Sequence, residues 1–217
     1  NDFTKIQARF ANRMKLTSAD VEEVIQNRLL FKNEMGVRLL TDLFHQQVNN
    51  FKTLFDFGDG AQSYRNFRDR DHFIQSYPFV PYQFVLFQGA IQNLSDHNAF
   101  EGKHSSVGER SMLGVFQQVA IHIGDHQLGQ LAPFDLMFEG IRAALKASVQ
   151  RSIQVAEKNL GDAFAVQLLK ALLLVKYVRE FKPTVRNLCV LMLGSFDQDL
   201  PALRKRVEEA LALLERE

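Results

Sequence analysis

The pentapeptide Tyr77-Pro78-Phe79-Val80-Pro81 constrains the fold more than any other part of this chain. A proline pushes the residue before it out of the α region and removes a backbone donor. Two prolines three apart therefore cannot lie inside a helix. Nearly every other segment carries helical period. The expected fold class is all-α, a multi-helix bundle interrupted by an irregular aromatic stretch at residues 69–84. A second irregular stretch, the polar loop Gly102-Lys103-His104-Ser105, runs straight into a helix start. Loops carry function more often than the elements they join, so these two stretches are where function is sought.

The apolar spacing gives the helices. Val21, Val24, Ile25 and Leu29 form an i, i+3, i+4, i+8 stripe behind a Thr17/Asp20 capping box. A second helix is expected over residues 34–55, burying Leu39, Leu40, Leu43, Phe44, Val48, Phe51, Leu54 and Phe55, with Gly58-Asp59-Gly60 ending it. A third starts at Tyr82 and runs through Phe84, Phe87, Ile91 and Leu94. Ser106 and Glu109 form a second capping box, opening a helix lined by Leu113, Phe116, Ala120 and Ile123, before a break at Gly124, Gly129 and Pro133. One long helix is predicted over 134–159, stopped by Gly161 as a C′ glycine. Three more cover 162–181, 184–193 and 199–217, the last with Leu200, Leu203, Val207, Leu211 and Leu214 on its buried side. The division expected is a helical domain at 1–132, a connecting helix at 133–161, and a three-helix segment at 162–217. That last segment is of helix-turn-helix or winged-helix type without its wing.

Composition excludes several classes. With 46% hydrophobic and 24% charged residues the chain is a soluble globular protein and not a disordered one. A net charge of +1, from 26 basic and 25 acidic residues, gives no global case for nucleic acid. No apolar run reaches the roughly 20 residues that span a bilayer, so no membrane association is expected. Cys189, the single cysteine, sits in the apolar run 188–193, where an inert buried thiol suited to a reducing, cytoplasmic setting is expected. The chain begins Asn1-Asp2-Phe3 and stops within a charged helix, which reads as a piece of a longer polypeptide cut by design or by proteolysis.

Few residues offer chemistry. Gly102-Lys103 fails as a phosphate loop, because the required glycine and the Ser or Thr are replaced by His97 and His104. His122 and His126 stand four apart, a spacing that suits two ligands of one metal, but Ile123 occupies the place of a metalloprotease glutamate; no metal is expected. Arg110 falls in the first turn of a helix, where free N–H groups and the dipole favour anions. Either Glu109 or an external phosphate would offset its charge there. Arg204 and Lys205 lie early in the last helix, placed to touch DNA phosphates or to pair at i+4 with Glu208 and Glu209. No catalytic constellation is complete.

The stretch Tyr77-Pro78-Phe79-Val80-Pro81-Tyr82-Gln83-Phe84 and the run 104–117 that contains Gly108-Glu109-Arg110-Ser111 resemble the BrxC/PglY family, large P-loop ATPases of bacterial BREX phage-defence systems. Arg9-Phe10, the run 16–25, Arg28-Leu29-Leu30 and Ala132-Pro133-Phe134-Asp135-Leu136-Met137-Phe138 add to the likeness, which is strongest over 5–140. The resemblance implies an AAA+-like ATPase in which a helical lid, then a winged-helix region, follows the nucleotide-binding core. It implies Arg110 as the lid's nucleotide-sensing arginine, supported by Tyr77, Pro78, Pro81, Ser106 and Glu109. It also implies ATP and Mg as cofactors of the full-length protein, although none for this part alone, which lacks Walker A and Walker B sequences. Other BREX components, and with them DNA or further copies of the protein, would be partners. The alternative expectation is a non-catalytic helical scaffold for protein–protein assembly, with the 19 phenylalanines partly covered by other domains.

Overall fold

Short polar side chains set five of the helix starts by accepting free backbone N–H groups. In the computed structural model, which describes residues 18–58, 64–101 and 109–216, Asn33 accepts from Gly36, Asp69 from His72, Asp162 from Phe164 and Ala165, Thr184 from Asn187 and Asp199 from Ala202. The Thr17 and Ser106 caps and the loop 102–105 lie outside the described residues, as do Asp59 and Gly60.

The order is α1 (Ser18–Arg28), α2 (Glu34–Gln47), a 3-10 turn (Val48–Asn50), α3 (Phe51–Leu54), α4 (Arg70–Ser76), α5 (Tyr82–Asp96) and α6 (Glu109–His122). A second 3-10 turn (Phe134–Leu136) leads into α7 (Met137–Arg142), followed by α8 (Ala147–Asn159), α9 (Ala163–Val175), α10 (Val185–Leu191) and α11 (Leu200–Leu214). The fold is all-α: among the described residues β-pairing is confined to the isolated bridges Phe100–Leu145 and Gln130–Ser195. No helix among these is long and apolar enough to cross a membrane.

Helix α5 lies at the centre, with Tyr82, Gln83, Phe84, Leu86, Phe87, Ala90, Ile91 and Leu94 all buried. It packs on α1 and α9, and α6 packs on α1 and α7. Phe116 of α6 holds one aromatic cluster together, stacking on Phe84 at 5.0 Å and meeting Phe79 edge-on at 4.9 Å. A second cluster joins Phe51, Phe55, Phe67, Phe73 and Phe196. Each fully buried ring is worth roughly 1.5–3 kcal/mol from removal of apolar area. The phenylalanine excess is thus largely absorbed inside the chain. Among the described phenylalanines Phe31, 86% exposed, is the exception. Helices α9 and α10 both pack on α11, and α9 also packs on α5, α7 and the 134–136 turn, so one continuous core runs from residue 21 to residue 210.

Several expectations are corrected. The stretch 69–84 is not irregular throughout, because Asp69 caps the short α4. The 34–55 helix tightens to 3-10 geometry at 48–50; Leu39 and Val48 then face solvent at 46% and 38% exposure, while Leu40, Leu43, Phe51, Leu54 and Phe55 stay buried. Val24, expected on the α1 stripe, is exposed. The long 134–159 helix is broken at 143–146, where Ala144 accepts from Glu101 and Lys146 donates to Ala99. Backbone pairing with a distant segment outcompetes helix continuation there. Helix α8 ends with Leu160 in extended geometry, and Gly161 does not adopt the left-handed conformation of a C′ glycine. The helix expected over 162–181 stops at Val175. Cys189 is half-buried, with burial pushing its thiol pKa up.

Candidate functional site

The Tyr77–Pro81 segment is a buried junction between helices. Tyr77 ends α4 in extended geometry, as a residue before proline should, and its peptide bond to Pro78 is cis. Phe79 is fully buried against Phe116. The Gln83 carboxamide, 1% exposed, accepts from Val80 N–H at 3.0 Å and donates to Ala132 O at 2.7 Å, while Ala132 N–H donates to Pro78 O. Pro81 is buried at the start of α5. The Tyr77 hydroxyl accepts from the N–H of Gly129, whose φ of 98° is one that glycine adopts without strain. Burial raises the Tyr77 phenol pKa, and that N–H partly offsets it.

On the outer side of this junction lies a cleft of about 510 Å³, with Leu30, Lys32, Tyr77, Pro78, Ile123 and Leu128 among its walls. Lys32 Nζ donates to Tyr77 O at 2.7 Å and Gln75 O at 3.3 Å, so it covers the carbonyl end of α4. Among the described residues no carboxylate pairs with it. Desolvation by burial brings its pKa down to about 7. Tyr77 and Pro78, singled out in the sequence, thus do line this cleft. Lys32 was missed, because a lone lysine in Phe31-Lys32-Asn33 carries no local signal.

A second polar group also escaped the sequence reading. Glu22, on the nominally polar side of α1, is 8% exposed and meets the 4% exposed His72 of α4. Both His72 ring nitrogens and Glu22 Oε1 are engaged in internal hydrogen bonds, which join α1 to α4.

The other named residues are spread apart. Arg110 and Glu109 sit in the first turn of α6, but their side chains, like Ser106, lie outside the description. Arg204 Nε pairs with Glu208 at 3.0 Å and Lys205 Nζ with Glu209 at 3.8 Å, while the Arg206 guanidinium covers the Phe164 ring at 4.3 Å. The basic run of α11 is therefore largely engaged by its own helix and by α9. The His122 and His126 rings lie 6.3 Å apart, with no third ligand beside them among the described residues, and His97 stacks on Tyr177 at 4.0 Å.

No family model matches this chain, and no solved structure matches it at a significant level.

Proposed function

We propose that this chain is the helical lid of a BrxC-like phage-defence ATPase, coupling nucleotide state to contacts with a partner. One observation supports the reading: α6 carries Arg110 in its first turn, and the chain just past its other end lines the Lys32 cleft through Ile123 and Gly124. Fourteen residues of helix make a rod of about 21 Å. Anion binding at its N-terminus would bear on a packed element that reaches the cleft directly. Helix α6 packs on α1 and α7, so a tilt of the rod would reposition the cleft wall.

In this reading a longer polypeptide supplies the P-loop core, ATP and Mg, in the bacterial cytoplasm, and Arg110 senses the phosphates. The part described here binds and transmits. In the full-length protein Arg110→Ala should lower ATP turnover about tenfold or more, in keeping with loss of one charge-stabilising donor, without moving the melting temperature. Unchanged turnover would sink the sensor assignment. The scaffold reading is favoured by one observation, the exposed Phe31, and predicts unchanged turnover together with loss of assembly.

A further inference from the structure

The cation at Lys32 is poorly compensated where it stands. Two main-chain carbonyls take two of its three N–H donors, but they bring only partial negative charge. Lys32 is half-buried, and a charge withdrawn from water is costly unless something of opposite sign pairs with it. Its lowered pKa is the same fact expressed as a proton equilibrium.

The surroundings say what kind of group would complete it. Leu30, Phe31 and Lys32 line two hollows, the 510 Å³ cleft on one side and a 290 Å³ hollow on the other that reaches Val37 and Ile74. Phe31 stands between them as a ridge, 86% exposed, with Leu128 (50%) bordering the first hollow and Val37 (40%) the second. Tyr77, His126 and Asp71 are the other titratable side chains on the walls; the Tyr77 hydroxyl is taken by the Gly129 N–H and Asp71 already pairs with Arg70. A small amphiphile would fill one hollow and leave the ridge bare. A polypeptide can straddle it.

We infer that the Phe31–Lys32 ridge is a docking surface for a partner polypeptide segment that presents an Asp or Glu carboxylate between apolar side chains. The carboxylate meets the free donor of Lys32, and the flanking apolar groups enter the two hollows. Charge complementarity selects the acid, and the paired hollows select an extended or helical segment. The inference stands whether or not Arg110 senses nucleotide.

The test is selection of a random twelve-residue peptide library on the immobilised chain, followed by fluorescence anisotropy with the enriched peptides. Enriched sequences should carry an acid flanked by apolar residues. Changing that acid to its amide should weaken binding about tenfold or more on the wild type and less than about twofold on Lys32→Met, the coupling expected of a direct charge pair. Phe31→Ser, at a site too exposed to matter for folding, should also cost about tenfold. If Lys32→Met does not fold, the acid-to-amide change on the wild type and Phe31→Ser still decide. Peptides without an acid, no enrichment, or equal losses on both proteins would overturn the inference. So would displacement of the peptide by dodecanoate at comparable affinity, or a dimer of this chain that Phe31→Ser dissolves.

Discussion

His72 Nε2 lies 2.6 Å from Glu22 Oε1, while His72 Nδ1 accepts the backbone N–H of Arg68 at 3.2 Å. The backbone donor fixes the tautomer, so Nε2 carries the proton and donates to the carboxylate. Gln26 continues the chain, donating to Glu22 Oε1 and reaching the buried Ser76 hydroxyl at 3.0 Å. Helix α1 is thereby bound to α4 through the buried Glu22, His72 and Ser76 and the half-buried Gln26.

Glu22→Ala should destabilise the fold by about 2–4 kcal/mol, because it strands a buried imidazole N–H and empties part of the contact. Glu22→Gln keeps an acceptor and should lose roughly half as much. Urea unfolding of the two variants measures this. Equal losses would show that packing, and not the hydrogen bond, holds α1 to α4.

Gly140 of α7 lies directly against Val115 of α6. A Cβ there would fall 2.6 Å and 2.7 Å from the two methyls of Val115. Alanine gains about 1 kcal/mol in helix propensity, but overpacking of a closed interface costs about 1–3 kcal/mol. Gly140→Ala should therefore be net destabilising, and adding Val115→Ala should recover part of the loss. A thermal melt of the single and double variants checks the sign; an additive double variant would place the clash elsewhere.

Asn187 replaces missing backbone pairing for a distant loop. Its carbonyl accepts from Gly58 N–H at 2.8 Å, and its amide donates to Gly58 O at 2.9 Å and Lys182 O at 2.8 Å. Arg186 adds an ion pair to Asp56 beside it. Asn187→Leu keeps the number of side-chain heavy atoms and removes all three bonds at a site 1% exposed. The expected loss is about 3 kcal/mol, at roughly 1 kcal/mol or more per unsatisfied buried group. Amide exchange at Gly58 should rise sharply in the same variant; protection that persists would refute the clamp.

Lys32 gives stability a pH dependence of definite sign. The folded state releases this proton near 7, whereas the unfolded chain holds it up to the ordinary lysine value of 10.5. Between those values the unfolded state binds more protons, so stability rises with pH. Lys32→Met lacks this slope. The wild type should gain on the variant by up to about 1.4 kcal/mol per pH unit between pH 8 and 9.5. A difference in unfolding free energy that stays flat across this range would show the amine to be well solvated.

Much of the helical content was legible because period and capping act locally. Thr184 with Asn187 and Asp199 with Ala202 each place a start within a few residues. The break at 143–146 was not legible, since its cause is pairing with residues 99–101 some forty positions earlier. The same holds for the cleft. Tyr77 and Pro78 announce themselves through proline geometry, but Lys32 becomes a candidate only when α4 ends against it.

The sequence by itself determined an all-α chain, the helix starts near residues 162, 184 and 199 and the non-helical Tyr77–Pro81 junction, because backbone sterics and nearest-neighbour hydrogen bonds decide these. Tertiary structure alone decided which charges lose water. Lys32 and Glu22 look like ordinary surface residues in the chain, and the approach of α4 buries Glu22 and half-buries Lys32. Arg204 and Lys205 stay on the surface, paired along their own helix. Desolvation depends on everything packed around a group, and no local spacing encodes it.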